Sequence, residues 1–161
     1  MSGEATTPDG PIIVPLRWWH LPEAAALDAR LFRETSWTQE TFWAELAAPQ
    51  REYSAVLDGN DRLLGYAGLA WSAAEADVQT VAVSTELQGN GIGRQLMLRL
   101  IEQAGNHGAT SLLLEVRADN EPAKHLYTKL GFDRIAVRRG YYQPGNIDAH
   151  IMRLRPLHSR N

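Results

Sequence analysis

The clearest chemical signal in the chain is a glycine-rich segment between a short apolar run and a long amphipathic stretch. The apolar run is Val81, Ala82 and Val83, and the segment reads Gln88, Gly89, Asn90, Gly91, Ile92, Gly93 and Arg94. Glycine adopts positive φ without strain and lets a ligand approach the backbone closely. The free N–H groups of a helix's first turn, with the positive end of its dipole, bind anions such as pyrophosphate. The segment therefore predicts a site for a phosphorylated cofactor.

Two common glycine loops do not match this segment. The dinucleotide fingerprint G-x-G-x-x-G could begin at Gly89, but Arg94 then stands where the third glycine belongs. The nucleoside triphosphate loop G-x-x-x-x-G-K-[ST] does not occur in the chain. The pattern Q/R-x-x-G-x-G/A does fit, at Gln88, Gly91 and Gly93, and it resembles the acetyl-coenzyme A loop of the GCN5-related N-acetyltransferases. The alternative is a turn without a ligand, but such a turn does not need three glycines in five positions.

Length and composition bound the class of protein. A chain of 161 residues predicts one domain, which we place at residues 12–155, with a disordered tail over residues 1–11 and a frayed end over residues 156–161. The formal charge of −3 argues against a surface that coats nucleic acid. The absence of cysteine excludes disulfides and thiolate catalysis, and the five histidines lack metal-binding spacing, so we expect no metal.

The chain also lacks the sequence features of export or membrane insertion. No apolar run approaches the roughly 20 residues that span a bilayer. The first ten residues have neither a basic region nor an apolar core like those of a signal peptide. We therefore expect a cytoplasmic protein without membrane contact.

The elements around the glycine segment follow from the hydrophobic periods. Helices are predicted by apolar stripes with capping residues such as Thr38 and Asn120, and strands by short apolar runs between turn residues. The aliphatic run at 111–116 is typical of a central strand covered on both faces. The pattern predicts a mixed sheet with helices on both faces. The strands are expected near residues 12–16, 52–57, 63–72, 76–83, 111–116, 133–141 and 148–154, and the helices near 22–32, 38–48, 92–107 and 121–130.

This order of elements resembles the N-acetyltransferase fold from about residue 12 to residue 154. The segments L-E-V-R-A-D-N at 114–120, L-Y-T-K-L-G-F at 126–132 and R-R-G-Y-Y at 138–142 resemble the RimI-type enzymes of that family. Those enzymes acetylate the N-terminal α-amino group of a ribosomal protein that begins with alanine. The resemblance implies an α/β fold, with a mostly antiparallel mixed sheet of about seven strands.

The resemblance also implies roles for individual residues. The backbone of residues 81–83 pairs with the pantetheine arm, residues 88–94 hold the pyrophosphate, and Asn120 contacts the cofactor. Glu115 is the general base and Tyr127 the general acid. An α-ammonium group must lose a proton before it can attack, and a carboxylate whose proton affinity is raised by burial can take it. The structural alternatives are a strand carboxylate paired with Arg117 or another cation, and a tyrosine that only packs.

The resemblance also implies contacts with the acceptor. By resemblance, Trp37 lies in the segment that lines the acceptor groove, and Tyr141 and Tyr142 precede a loop that could hold the acceptor's N-terminus. Their alternatives are a core anchor and a solvated strand end. Departures from the family's pattern, at Ser36 and Gly140 for example, lie on the acceptor side.

The leading hypothesis is an N-α-acetyltransferase that uses acetyl-coenzyme A (acetyl-CoA) and transfers the acetyl group directly, because no cysteine is present to carry it. We expect a protein or peptide N-terminus as acceptor, such as that of a ribosomal protein, no direct nucleic acid partner, and a monomer or weak dimer. Two alternatives stay open: an enzyme of this family that acetylates lysine side chains or a small-molecule amine, and a non-catalytic module that binds coenzyme A.

Overall fold

The computed structural model describes residues 10–157 of the chain. Residues 1–9 and 158–161 lie outside the described residues, and most of the two predicted tails falls there. Leu157 is buried, and its N–H donates to the carbonyl of Thr110 at 2.9 Å. The packed chain therefore continues two residues beyond the predicted limit at residue 155.

Seven strands and four α-helices make up the described part of the chain. Every predicted helix and strand is present, and no predicted end differs from the observed one by more than one residue. Three short 3₁₀ helices, Trp18–His20, Arg33–Thr35 and Thr85–Leu87, were not predicted, because three residues are too few to show a period. The elements are β1 (Ile12–Pro15), α1 (Leu21–Phe32), α2 (Gln39–Ala47), β2 (Arg51–Leu57), β3 (Leu63–Ser72), β4 (Glu75–Val83), α3 (Ile92–Asn106), β5 (Ser111–Arg117), α4 (Glu121–Lys129), β6 (Asp133–Tyr142) and β7 (Ile147–Leu154).

The strands form one mixed sheet in the order β1-β2-β3-β4-β5-β7-β6. β4 and β5 are parallel, whereas β1 with β2, β5 with β7, and β6 with β7 are antiparallel. β7 lies between β5 and β6, although it follows both in the chain. The predicted mostly antiparallel mixed sheet of seven strands is confirmed.

The chain divides into two compact units. The first combines Met1–Gly68 with Thr80–Leu96, and the second combines Leu69–Gln79 with Met97–Asn161. The single domain over residues 12–155 stays a prediction.

The helix starts follow the predicted capping chemistry. The Thr38 hydroxyl accepts a hydrogen bond from the N–H of Thr41 at 3.2 Å, at the start of α2. The Asn120 side-chain oxygen accepts from the N–H of Ala123 at 3.2 Å, at the start of α4. Each cap satisfies a backbone donor that the helix leaves free, which fixes the residue at which the helix begins.

The core of the first unit contains a buried carboxylate. Asp28 occupies an apolar position on α1, where Leu21, Ala24 and Leu27 are also buried. One oxygen of Asp28 accepts the backbone N–H of Trp37 at 2.6 Å, and the other accepts the hydroxyl of Tyr66 on β3. These two hydrogen bonds, which we call the Asp28 tie, compensate part of the cost of burying the group.

Strand β5 is organised differently from the prediction. Leu112, Leu114 and Val116 are buried, whereas Glu115 on the opposite face is exposed. The predicted coverage on both faces therefore fails at Glu115, whereas Ser111, Leu113 and Arg117 on the same face are half-buried. Side chains alternate along a strand, and here the alternation holds one aliphatic face inward and leaves the carboxylate outward.

The pKa of Asp28 gives a testable effect of pH on stability. Burial raises this pKa from 3.8 to about 6, against the opposing effect of the Trp37 N–H. Between these values only the folded state holds the proton, so this group's contribution to the free energy of unfolding falls as pH rises toward 6. From pH 5 to pH 7.5, the fall should be about 1.4 kcal/mol. Denaturant unfolding at both pH values measures it.

The Asp28→Asn variant is the control for this prediction. It removes the titrating proton but keeps the shape, so the other groups contribute equally to both proteins. The difference in stability between wild type and variant should therefore change with pH. Parallel stability curves would show that Asp28 does not titrate in this range.

Candidate active site

The glycine segment joins β4 to α3 in the first unit. Gly89 and Gly91 have positive φ, at 88° and 80°, as the sequence predicted for a tight turn. Gly93 lies inside α3, and the residues from Gln88 to Gly91 are exposed. A Cβ built on Gly89 or Gly91 meets no atom within 4 Å, so the loop leaves open space beside its backbone.

The first turn of α3 supplies the donors of this loop. Its N-terminal N–H groups have no helical carbonyl before them, and the first helical bond runs from Gln95 N–H to the carbonyl of Gly91 at 3.0 Å. The Gln88 side chain donates to the carbonyl of Val83 at 3.4 Å and so connects the loop to the end of β4. Exposed backbone donors, open space and the start of a 15-residue helix fit an anionic group such as a pyrophosphate.

Glu115 lies on the exposed face of β5 in the second unit. Its carboxylate oxygen is 3.4 Å from a guanidinium nitrogen of Arg138 on β6. The predicted burial of Glu115 is therefore wrong, and its partner is Arg138 rather than Arg117. A general base must be accessible to the incoming amine or to a water molecule. The exposed carboxylate of Glu115 meets this requirement.

A second arginine lies near the same group of residues. Arg117 pairs with Asp119 at 3.1 Å, and its guanidinium lies 5.5 Å from the centre of the Tyr142 ring. The Arg138 guanidinium lies 5.3 Å from the centre of the Tyr141 ring. Both tyrosines of the R-R-G-Y-Y segment thus contact an arginine, at distances typical of cation–π pairs. Neither arginine was predicted to act at the site.

Tyr127 is buried on α4, and its ring lies 5.9 Å from that of Phe132. Burial raises the pKa of Tyr127 to about 12, and Tyr142 contributes to the rise. The hydroxyl therefore keeps its proton at neutral pH. A group that keeps its proton until the transition state can act as a general acid.

Tyr142 connects the two candidate catalytic residues electrostatically. Burial raises the pKa of Tyr142, and the negative charge of Glu115 raises it further. Tyr142 in turn contributes to the raised pKa of Tyr127. Glu115, Tyr142 and Tyr127 therefore belong to one local environment within the second unit.

The turn between β6 and β7 positions the two tyrosines. Gly140 has a φ of +62°, and its N–H donates to the Asp148 carboxylate at 2.9 Å. The side chain of Gln143 donates to the carbonyl of Gly140 at 2.7 Å. The register shifts between Arg138 and Tyr142, so these residues leave the regular alternation of β6.

The structure distributes the predicted residues between the units. Glu115, Asn120, Tyr127, Tyr141 and Tyr142 lie in the second unit, whereas Trp37, residues 81–83 and residues 88–94 lie in the first. Asn120 is confirmed as a helix cap.

Within residues 10–157, we find no group of three or more His, Cys, Asp or Glu side chains that could hold a metal ion. In the same part of the chain, no helix has both the length and the apolar character needed to cross a bilayer.

Comparison with known proteins shows the family of this chain. A family model described as "Acetyltransferase (GNAT) family" matches residues 16–132. The chain is 39% identical over 134 residues to "N-alpha-acetyltransferase RimI" of Mycobacterium tuberculosis, covering 80% of this chain and 82% of that protein. It is 35% identical over 136 residues to "[Ribosomal protein bS18]-alanine N-acetyltransferase" of Salmonella typhimurium, covering 83% and 90%.

A solved structure agrees with these relatives. The ribosomal-protein-S18-alanine N-acetyltransferase from Escherichia coli superposes with a TM-score of 0.82 at 30% identity, covering 94% of this chain and 96% of that one. The matched residues include the glycine loop, β5 with Glu115, and α4 with Tyr127. On the family model and these relatives together, the chain belongs to the GNAT family of acetyltransferases.

Proposed function

We propose that this protein acetylates the N-terminal α-amino group of a ribosomal protein that begins with alanine. The observation that carries the proposal is the identity of 34–35%, over 83% of the chain, to relatives named as ribosomal protein bS18-alanine N-acetyltransferases. A ribosomal-protein acceptor would place the reaction in the cytoplasm, which is the compartment we propose.

Family membership makes acetyl-CoA the acetyl donor. When bound, it supplies a thioester whose carbonyl carbon an amine can attack. The exposed glycine loop and the free N–H groups of α3 fit its pyrophosphate. The residues proposed to hold it are Val81, Ala82, Val83, Gln88, Gly89, Asn90, Gly91, Ile92, Gly93, Arg94 and Asn120.

Glu115 is the proposed general base. An α-amino group has a pKa near 8 and is mostly protonated at neutral pH. The exposed carboxylate of Glu115 can accept that proton directly or through a water molecule. Removal of the proton frees the nitrogen lone pair for attack.

Tyr127 is the proposed general acid, because its hydroxyl stays protonated at neutral pH. Its buried ring is held against Phe132, which limits the directions in which the hydroxyl can point. Trp37, Tyr141 and Tyr142 are the proposed contacts of the acceptor. Tyr141 is exposed, as a residue that meets a peptide from solvent should be.

The choice of acceptor is tested by mass spectrometry. Three peptides that share one sequence after their first residue are incubated with the protein and acetyl-CoA. The first has a free N-terminal alanine and one lysine, the second has a blocked N-terminus, and the third begins with a residue other than alanine. The first should gain one acetyl group on its α-nitrogen, because that nitrogen is the proposed nucleophile. Acetylation of lysine alone, of added small amines alone, or of nothing would contradict the proposal.

The role of the glycine loop is tested with two matched glycines. Gly91 and Gly108 share a positive φ, 80° and 87°, and neither has an atom within 4 Å of an added Cβ. Alanine should therefore cost about 1 kcal/mol of stability at each position. Only Gly91→Ala changes the proposed cofactor loop, so calorimetry should show acetyl-CoA binding about tenfold weaker or more for that variant alone. Equal affinities in the two variants would remove the loop from the cofactor site.

The base and the acid are distinguished by pH. Glu115→Gln should lower kcat about 100-fold at pH 7, and this loss should shrink above pH 8 because the amine then arrives deprotonated. Tyr127→Phe should lower kcat about 10- to 100-fold, and its loss should not shrink as pH rises to 9. Single-turnover rates at saturating acetyl-CoA measure both.

Glu102→Gln is the control for the change of charge, because Glu102 is an exposed carboxylate on α3. Its rate should equal that of the wild type at every pH. A Glu115→Gln variant with wild-type turnover at pH 7 would make Glu115 a structural residue, and an unchanged chemical step in Tyr127→Phe would leave solvent as the acid.

A further inference from the structure

The carboxylate of the Asp28 tie lies in the core, where burying a charged group costs free energy. The Asp28 side chain is 1% exposed and lies among apolar core residues of the first unit. When a buried charge and its partners are replaced together by apolar groups of similar volume, the stability is often equal or greater, because no charge then has to be desolvated. Burial raises the pKa of this carboxyl to about 6, which reflects the cost of keeping the charge inside. A buried carboxylate that carries this cost points to a role besides stability.

The contacts of Asp28 form a closed ring. One oxygen holds the backbone N–H of Trp37, whose side chain lies edge-on to Phe42 at 5.2 Å between ring centres. Phe42 lies edge-on to Tyr66, also at 5.2 Å, and the Tyr66 hydroxyl returns to the other oxygen of Asp28. The backbone N–H of Trp37 therefore bonds to Asp28 directly, and the indole ring of Trp37 is connected to the same carboxylate through Phe42 and Tyr66. Edge-to-face pairs of this kind have a preferred geometry as well as an area of contact.

The segment that Asp28 holds through Trp37 is otherwise exposed, and its other hydrogen bonds are local. It joins α1 to α2, begins at Arg33 with a φ of +47°, and is exposed through the 3₁₀ helix Arg33–Thr35. In the described part of the chain, its other hydrogen bonds stay close in sequence: Ser36 N–H donates to the carbonyl of Arg33 at 3.1 Å, and the Thr35 hydroxyl donates to that of Phe32 at 2.9 Å. The bond from Trp37 to Asp28 connects this segment to the core.

We infer that Asp28 is a positioning residue, which holds Trp37 and the α1–α2 connection in the conformation that receives the acceptor. The inference rests on the proposed function, in which Trp37 contacts the acceptor. Asp28 does not touch the reacting atoms. Its effect should therefore appear in the KM for the acceptor, while acetyl-CoA binding and kcat at saturating acceptor stay unchanged.

Two variants test the inference: one keeps hydrogen-bonding groups at position 28, and the other removes them. Asp28→Asn keeps a carbonyl oxygen for the Trp37 N–H and an amide that can bond the Tyr66 oxygen, so it should keep the acceptor KM within about threefold. The double variant Asp28→Leu/Tyr66→Phe replaces both members of the Asp28–Tyr66 hydrogen bond by apolar groups, so that only the Trp37 N–H loses its partner, which limits the loss of stability. It should raise the acceptor KM about tenfold or more and change the acetyl-CoA Kd less than about threefold.

Two further measurements separate positioning from damage to the fold. Hydrogen exchange of the Trp37 amide should be faster in the double variant and unchanged in Asp28→Asn. Trp37→Leu should raise the acceptor KM as the double variant does, and combining the changes should add little, because both act through the same contact. A loss of kcat and of acetyl-CoA binding together, or an unchanged acceptor KM in the folded double variant, would overturn the inference.

The wild-type protein separates this inference from the proposed function. If the wild type does not acetylate the peptide with free N-terminal alanine, the proposed function fails before any variant is compared. If the wild type acetylates this peptide and the double variant has the same acceptor KM, only the positioning role of Asp28 fails.

Discussion

The register between β5 and β7 is the constraint on which the second unit depends. Glu115 pairs with Ile151, and Arg117 pairs with Ala149. The buried side chains Leu112, Leu114 and Val116 pin this register, because a slip of one residue would exchange the two faces of the strand. It would place the carboxylate in the core and the aliphatic residues in solvent. The hydrophobic face of β5 thus determines where the candidate base can act.

The two units contribute different physics to the proposed reaction. In the first, the loop before α3 offers backbone donors, and its open space comes from two glycines without side chains. In the second, side chains are the proposed proton carriers: the exposed carboxylate of Glu115 is the proposed acceptor, and the hydroxyl of Tyr127, whose pKa is raised by burial, is the proposed donor. Binding of an anion and transfer of protons are therefore assigned to separate parts of the chain.

Local chemistry was the part of this structure that the sequence could predict. The positive φ of Gly89 and Gly91, and the caps at Thr38 and Asn120, each depend on a few neighbouring residues. The Asp28 tie could not be predicted, since it joins α1 to Tyr66 across 38 residues. The pairing of Glu115 with Arg138 could not be predicted either, because it depends on the insertion of β7 between two earlier strands.

The position of β7 in the sheet has a consequence for the order in which the protein can fold. β5 and β6 are made first, but they are neighbours only through β7, which ends at Leu154. A growing chain can form α3 and α4 from local contacts and can pair β5 with the earlier strand β4, whereas the other edge of β5 must wait for β7, which is synthesised later. Until then, the strand that carries Glu115 has an unpaired edge. The environment of the candidate base is therefore among the last parts of the second unit to assemble during synthesis.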